Sequence, residues 1–370
     1  MITPPATLGI LGGGQLGRYF VMAARTMGYR TIVLEPDPHA PAAAVADEHL
    51  VAAYSDEAAW RHLASVCMAV TTEFENPPSQ AMEWLTAHTQ VHPSPRAVAV
   101  TQDRRLEKAF LHDAGIPLAP FALIETEVDV VGAAGFYYPA ILKTARMGYD
   151  GKGQITVTSH DALRSAWLQL DSQPCVLEQR LQLDGEVSVV LARSAGGRTA
   201  IYPVAHNTHA DGILDCTVVP YAAPGATELA TAIATSLDYV GVLAVEMFVI
   251  GGELLVNELA PRPHNSGHWT LDAARTSQFE QQVRAVCGVG LGDASMSAPA
   301  AAMVNLLGDL WADGEPDWAR ALADPCASLH LYGKSAPRPG RKMGHITVTA
   351  ATADEARRRA LAVRSSLTAG

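Results

Sequence analysis

The sequence predicts an α/β protein of three units, and three observations carry that expectation. A glycine-rich turn joins a buried strand to a helix near the start. Crossovers give way to hairpins after residue 103. A Gly/Pro/Ala-rich stretch from Gly288 to Ala301 precedes a last group of strands and a final helix. A chain of 370 residues is too long for one ordinary core. With 48% hydrophobic and 18% charged residues, burial can offset ordering entropy along most of its length.

The first unit, residues 1–103, reads as doubly wound and Rossmann-like. Residues 7–14 are a buried strand running into glycines, Gln15 to Met27 has helical periodicity up to Gly28, and Tyr29 to Leu34 is a second strand. Ala69 to Thr72 is a further strand, stopped by Pro77-Pro78 before the helical Ser79 to His88. The second unit, 104–290, opens with a charged helix. Short strands follow near 120–124, 139–143, 153–158, 174–178 and 185–192, with Ala200 to Val204 and a closing pair at 240–250 and 253–259. The third, 291–370, is a small mixed α+β unit.

A net charge of −11 argues against affinity built on neutralising nucleic acid or an anionic membrane. No apolar run approaches the ~20 residues of a membrane span, and Met1 to Pro5 lack the basic start of an export signal. Five cysteines without a Cys-x-x-Cys pair fit reduced structural thiols, and so a cytosolic protein.

Gly12 to Gly17 contains G-x-G-x-x-G at the strand-to-helix junction, and Glu35 ends the second strand where a dinucleotide-binding domain keeps its ribose-binding acid. A nicotinamide oxidoreductase is therefore one reading; a substrate-phosphate or structural role for these glycines is the other. Lys143 ends an apolar strand, and Gly148 to Gln154 form a glycine-rich hairpin tip, whose amides could fold over a polyphosphate or simply make a solvated turn. Cys175 to Leu181 runs from apolar to polar. Backbone groups at Gln179 to Leu181 could read an adenine edge, and Glu186 could hold ribose hydroxyls.

Val240 to Ile250 and Glu253 to Leu259 make a hairpin around Gly251-Gly252. A three-residue loop would set Glu246 opposite Glu258, whose mutual repulsion a divalent cation would relieve, with Asn257 as a neutral ligand. A two-residue turn would instead face Glu246 with Asn257. Two dense polar clusters, His206 to His209 and the run Asn257 to Trp269, need partners wherever they are buried.

With these motifs in place, the chain resembles the 5-(carboxyamino)imidazole ribonucleotide synthetases of the ATP-grasp superfamily. The resemblance rests on GGGQLGR (Gly12 to Arg18), EFEN (Glu73 to Asn76), GYDGKGQ (Gly148 to Gln154), HNTHADGIL (His206 to Leu214), NELAPRPHNSGHW (Asn257 to Trp269) and PGRKMGH (Pro339 to His345). It implies an ATP-grasp fold and ATP-dependent carboxylation of aminoimidazole ribonucleotide with bicarbonate in purine biosynthesis. It further implies a homodimer, and magnesium, with manganese as a substitute.

The resemblance places ATP contacts at Arg104, Lys143, Gly148, Tyr149, Asp150, Gly151, Lys152, Gly153, Gln154, Glu178, Gln179, Arg180, Leu181, Glu186, His209, Asn257 and Glu258. Glu246 and Glu258 become the metal ligands. Tyr149, Asp150, His264, Asn265, Ser266, Lys334 and Arg341 become the ribonucleotide contacts, and Lys143, Asp150 and Arg262 the catalytic set. Another ATP-grasp ligase, such as a formate-using glycinamide ribonucleotide transformylase or a biotin carboxylase, and a non-catalytic nucleotide-binding scaffold are the remaining alternatives.

Overall fold

A computed structural model describes residues 1–148 and 152–367. The N-terminal sheet is five-stranded and parallel, in the order Glu48–Leu50, Arg30–Leu34, Thr7–Leu11, Ala69–Thr72, Gln90–Val91. Its central strands are apolar on both faces because helices cover both. The helix Gln15–Thr26 buries Leu16, Tyr19, Phe20 and Ala24, a spacing of three and four that turns one stripe inward. Val283 and Val286 of the later helix Gln278–Val286 complete that core beside Phe20 and Val21. A segment of the second unit is thus packed into the first.

A four-stranded antiparallel sheet, Phe121–Ile124, Cys175–Gln179, Ala140–Thr144, Gln154–Val157, carries the glycine-rich tip. The largest sheet begins with the hairpin Gly241–Ile250 and Glu253–Ala260 and passes through Gly185–Arg193, Ala205–Ala210 and Ile213–Val219. It then continues into Ala300–Leu307, Lys342–Ala350 and Ala327–Leu331, while Thr199–Ile201 pairs with Gly185–Arg193. The strands expected as a small third unit therefore extend the second unit's sheet, through the pairing of Cys216 with Val304 and its neighbours.

Alternation along this sheet separates two cores. Val187, Val189 and Leu191 meet the helix Ala226–Ser236 on one face, while Val190 and Ala192 meet Tyr202 and Trp269 on the other. The strand expected over Ala200 to Val204 stops at Ile201. His206 to His209, expected only as a polar cluster, form a strand with a bulge between Thr208 and His209. Alternation between sheet face and core lets that strand carry polar side chains into a site.

Candidate active site

The hairpin turns on two residues: Gly251 and Gly252 have φ of 59° and 84°, and Ile250 pairs with Glu253. On the regular register this turn would have faced Glu246 with Asn257. Instead the pairing slips after Met247–Val256, so that Glu246 lies opposite Glu258 and Asn257 is a bulge. The expected carboxylate pair forms, but through a two-residue turn and an extra residue rather than a three-residue loop. Ala244 and Ala260 belong to one core, and Val245, Met247, Val256 and Leu259 to the other. Glu246 and Glu258 therefore share the face of Ala244 and Ala260.

Each carboxylate has a protein partner on that face. Arg104 Nη1 lies 3.0 Å from Glu258 Oε2, and His264 Nε2 lies 2.9 Å from Glu246 Oε1. Burial alone would raise the Glu246 pKa, but His264, His209 and Lys342 bring it down to about 2. Asn257 Oδ1 is buried with no hydrogen-bond partner among the described residues. Two carboxylates and an unpartnered amide oxygen together suit a hard divalent cation.

Beside them, Lys143 and Glu178 come from neighbouring antiparallel strands and pair at 2.9 Å. Lys108, fully buried on the helix Arg104–Asp113, lies 3.6 Å from the other oxygen of Glu178 and donates to the Asn257 carbonyl at 3.0 Å. Desolvation works against the Glu178 anion, yet the two lysines hold its pKa at about 2. The same helix sends Glu107 to the Leu259 N–H, 2.5 Å away. Burial among these charges raises Glu107 to about 8.

Gln154 pairs directly with Lys143, at the base of the glycine-rich tip. Arg104 donates to the Gly148 carbonyl at 3.1 Å, and the Thr144 N–H to that of Gly153 at 2.8 Å. Gly153 has φ 69°, and a Cβ there would come within 2.6 Å of Thr144 Oγ1. Lys152 follows on the exposed side, while Tyr149, Asp150 and Gly151 lie outside the described residues. The N–H groups of Gln179 and Arg180 donate to the carbonyls of Pro120 and Pro139, which narrows the adenine-edge donors expected there to Leu181. Glu186 stands 3.2 Å from His209 Nδ1, and this pairing outweighs burial to raise the histidine pKa.

The polar run is anchored by Gln278, which accepts from the His264 N–H at 2.8 Å and donates to the His264 carbonyl at 2.7 Å. Gly267 permits that approach, since a Cβ there would meet Gln278 Oε1 at 2.4 Å. Ser266 is fully buried, and both polar side-chain atoms of Asn265 are buried without partners among the described residues. Arg262 pairs with Glu75 of the EFEN segment and donates to the Pro263 carbonyl at 3.0 Å. From the C-terminal segment, Lys334 donates to the Lys342 carbonyl at 2.8 Å and Arg341 to that of Ala336 at 2.8 Å. Lys334 also reaches Glu73 electrostatically.

The N-terminal glycine loop is filled from within. Gly14 and Gly17 donate their N–H groups to the two oxygens of Glu73, the second at 2.6 Å, and Gly13 donates to Glu35 at 2.8 Å. Cβ atoms at Gly12 and Gly13 would meet Glu73 and Glu35 at 2.4 and 2.6 Å. Glu35, the expected ribose ligand, accepts from the Gly13 N–H and from the Tyr54 hydroxyl and so is engaged within the protein. The loop's amides at Gly13, Gly14 and Gly17 are thus taken up within the protein.

Three protein-family models match: a ribonucleotide synthetase preATP-grasp domain over residues 5–102, an ATP-grasp domain over 109–279, and a phosphoribosylaminoimidazole carboxylase C-terminal domain over 301–359. The N5-carboxyaminoimidazole ribonucleotide synthase of Brucella melitensis biotype 1 is 45% identical, across 94% of this chain and 97% of that protein. This chain belongs to the N5-carboxyaminoimidazole ribonucleotide synthase family. A crystal structure of an ADP complex of such a synthetase superposes with a TM-score of 0.92 at 39% identity, covering 98% of this chain and 97% of that one. The Aspergillus clavatus synthase in complex with ADP and 5-aminoimidazole ribonucleotide gives 0.87 at 29% identity, over 98% of both chains.

As a member of the N5-carboxyaminoimidazole ribonucleotide synthase family the chain is an ATP-grasp ligase, with sites that sequence patterns reach only in part. Lys108, Glu107 and Lys342 are in the same electrostatic system as the expected residues, the first two outside the motifs that mark those and Lys342 within PGRKMGH. The two helix residues had a readable signal, a charged helix interrupted by few apolar positions. Asp272, His330 and His345 also place ligand atoms within 4.8 Å of one another. The rings of His330 and His345 stack 4.5 Å apart at 14°, so a cation in the plane of one would lie out of the plane of the other. His330 instead pairs with Asp272 at 3.0 Å.

Proposed function

We propose that this chain couples ATP cleavage to carboxylation of the exocyclic amine of 5-aminoimidazole ribonucleotide by bicarbonate, releasing ADP and phosphate. The observation that carries the reading is the shared face of Glu246 and Glu258, the latter next in sequence to Asn257, whose Oδ1 has no hydrogen-bond partner among the described residues. Nucleotide would lie between Lys143, Glu178, Glu186, His209 and the glycine-rich tip. The ribonucleotide would lie between His264, Asn265 and Ser266 on one side and Lys334 and Arg341 on the other.

The terminal phosphoryl group of ATP passes to a bicarbonate oxygen, giving carboxyphosphate, and ADP leaves. The imidazole amine then takes up the carboxyl carbon, directly or as released carbon dioxide, and phosphate departs. Phosphoryl transfer asks chiefly for positioning and charge compensation, which Lys143 and Arg104 supply from fixed strand and helix ends. Magnesium on Glu246, Glu258 and Asn257 would offset further charge on the phosphates when bound. The tip excludes water from an anhydride that hydrolyses readily. Asp150 is the acceptor proposed for the amine proton.

The test is ADP release with ATP and bicarbonate, with and without aminoimidazole ribonucleotide, in wild type and Glu258→Gln. Release that needs the ribonucleotide and is lost in the variant supports the reading. Release driven equally by formate with glycinamide ribonucleotide would assign another ligase. A homodimer in a reducing cytoplasm belongs to the same proposal; the cysteines are all free thiols, and light scattering would report the dimer.

A further inference from the structure

A chain of hydrogen bonds runs across the large sheet into the site. Thr217 Oγ1 donates to Asn207 Oδ1 at 2.9 Å, and Asn207 Nδ2 donates to Ser188 Oγ at 2.9 Å. Ser188 Oγ is 2.8 Å from Ser266 Oγ, which is 2.8 Å from His264 Nδ1. His264 Nε2 ends the chain at Glu246. Sheet register builds it, with Thr217 directly opposite Asn207 and Ser188 directly opposite Glu246. Ser188, Thr217 and Ser266 are wholly buried, and Asn207 is 4% exposed.

Each hydroxyl has one proton, so a bare Nδ1 would set the direction of the whole chain. At the His264 end, the backbone N–H of Ser266 also points at Nδ1, 3.3 Å away. An amide N–H can only donate, so Nδ1 holds a lone pair and the ring proton sits on Nε2, facing Glu246. At the other end, Asn207 donates to Ser188, which leaves the Ser188 proton free for Ser266 and the Ser266 proton free for Nδ1. The two ends agree. Flipping the Asn207 amide would reverse each hydroxyl and require a proton on Nδ1, against the Ser266 amide.

We propose that Ser188, Asn207 and Thr217 are positioning residues that lock His264 as an Nε2–H donor and so hold in place Glu246, a carboxylate that would hold the nucleotide-bound cation. The locked ring has no lone pair facing the site, so His264 acts as a donor and is not the base for the amine proton. The inference rests on the functional reading only for the role of Glu246; the tautomer follows from the hydrogen-bond directions.

The tautomer is read directly by long-range proton–nitrogen NMR of histidine-labelled protein, with His264→Gln giving the assignment. Wild type is expected to show Nε2 protonated and Nδ1 bare. Asn207→Asp keeps the shape but replaces the donor with an acceptor, and Thr217→Val removes the first donor. Both are expected to mix or reverse the tautomer and to lower kcat about tenfold, a single hydrogen bond's worth, with Thr217→Ser restoring both readouts. Protonated Nδ1 in wild type, or an unchanged tautomer in both variants, would overturn the proposal. A locked tautomer in wild type that both variants lose supports it even if aminoimidazole ribonucleotide fails to drive ADP release, an outcome that counts against the functional reading alone.

Discussion

Glu246 and Glu258 stand level across their hairpin because Asn257 takes no partner on the facing strand. Paired regularly, Asn257 would face Glu246, and Glu258 would move opposite Val245 and turn toward the other core. The bulge thus assembles the acidic pair and frees an amide oxygen beside it. Asn257→Ala keeps the backbone bulge and removes only that oxygen. It is expected to lower kcat/KM for ATP about tenfold, with unchanged thermal stability. Deleting Asn257 leaves Glu258 next in line opposite Glu246 but also removes the carbonyl that holds Lys108, so the deletion should cost more. Steady-state ADP release checks the order, and an alanine variant with wild-type kinetics would show that Asn257 is no ligand.

The glycine loop gives a second expectation. A Cβ on Gly14 would lie 2.5 Å from Glu73 Oε1, the atom that accepts its N–H. Gly14→Ala therefore disturbs an internal cap. Urea unfolding should register a loss of about 1 to 3 kcal/mol. Fluorescence titration with NADH should show no saturable binding to the wild-type protein, and tight binding would restore the oxidoreductase reading.

Glu107 makes the stability depend on pH. Its carboxyl is raised from 4.5 to about 8 in the folded chain, so between those values the folded state holds a proton that the unfolded state has released. Stability is then fully present below about 4.5 and falls as pH rises toward 8. Glu178, lowered to about 2, acts in the opposite sense and only below about 4.5, so the two windows do not overlap. Glu107→Gln should flatten the decline between pH 5 and 8, by at most a few kcal/mol over that range. Denaturant midpoints at half-unit pH steps would measure it, and an unchanged slope would place the effect elsewhere.

The glycine-punctuated strands and helices were legible because periodicity and turn residues report local geometry. Lys143, Glu246 and Glu258 were legible because charged residues at strand positions next to glycines are locally conspicuous. The route by which the two glutamates meet was not. A bulge is decided by tertiary anchoring, here Lys108 and Glu107 gripping the edge strand at Asn257 and Leu259. Nor could sequence show that Glu73, some sixty positions beyond Gly14, fills the loop that its glycines open. The continuous sheet was hidden too, since pairing of Cys216 with Val304 joins segments separated by a whole helix-containing stretch.

Lys108 supports a last expectation, separate from that for Lys143. Both lysines face Glu178, but Lys143 is 12% exposed and Lys108 only 1%. Burial lowers the Lys108 pKa, with Glu178 the largest opposing influence, while the ammonium group lies against that carboxylate and the Asn257 carbonyl. Lys108→Met fills the space but leaves the Asn257 carbonyl unpartnered and Glu178 with one cation instead of two. The folded state should lose about 3 kcal/mol, and KM for ATP should rise because both sides of the nucleotide pocket relax together. Lys143→Met, whose ammonium sits at the site's edge, should instead lower kcat with a smaller stability loss. Unfolding and kinetic measurements on the two variants separate the roles, and Lys108→Met with the wild-type KM would confine that lysine to holding the fold.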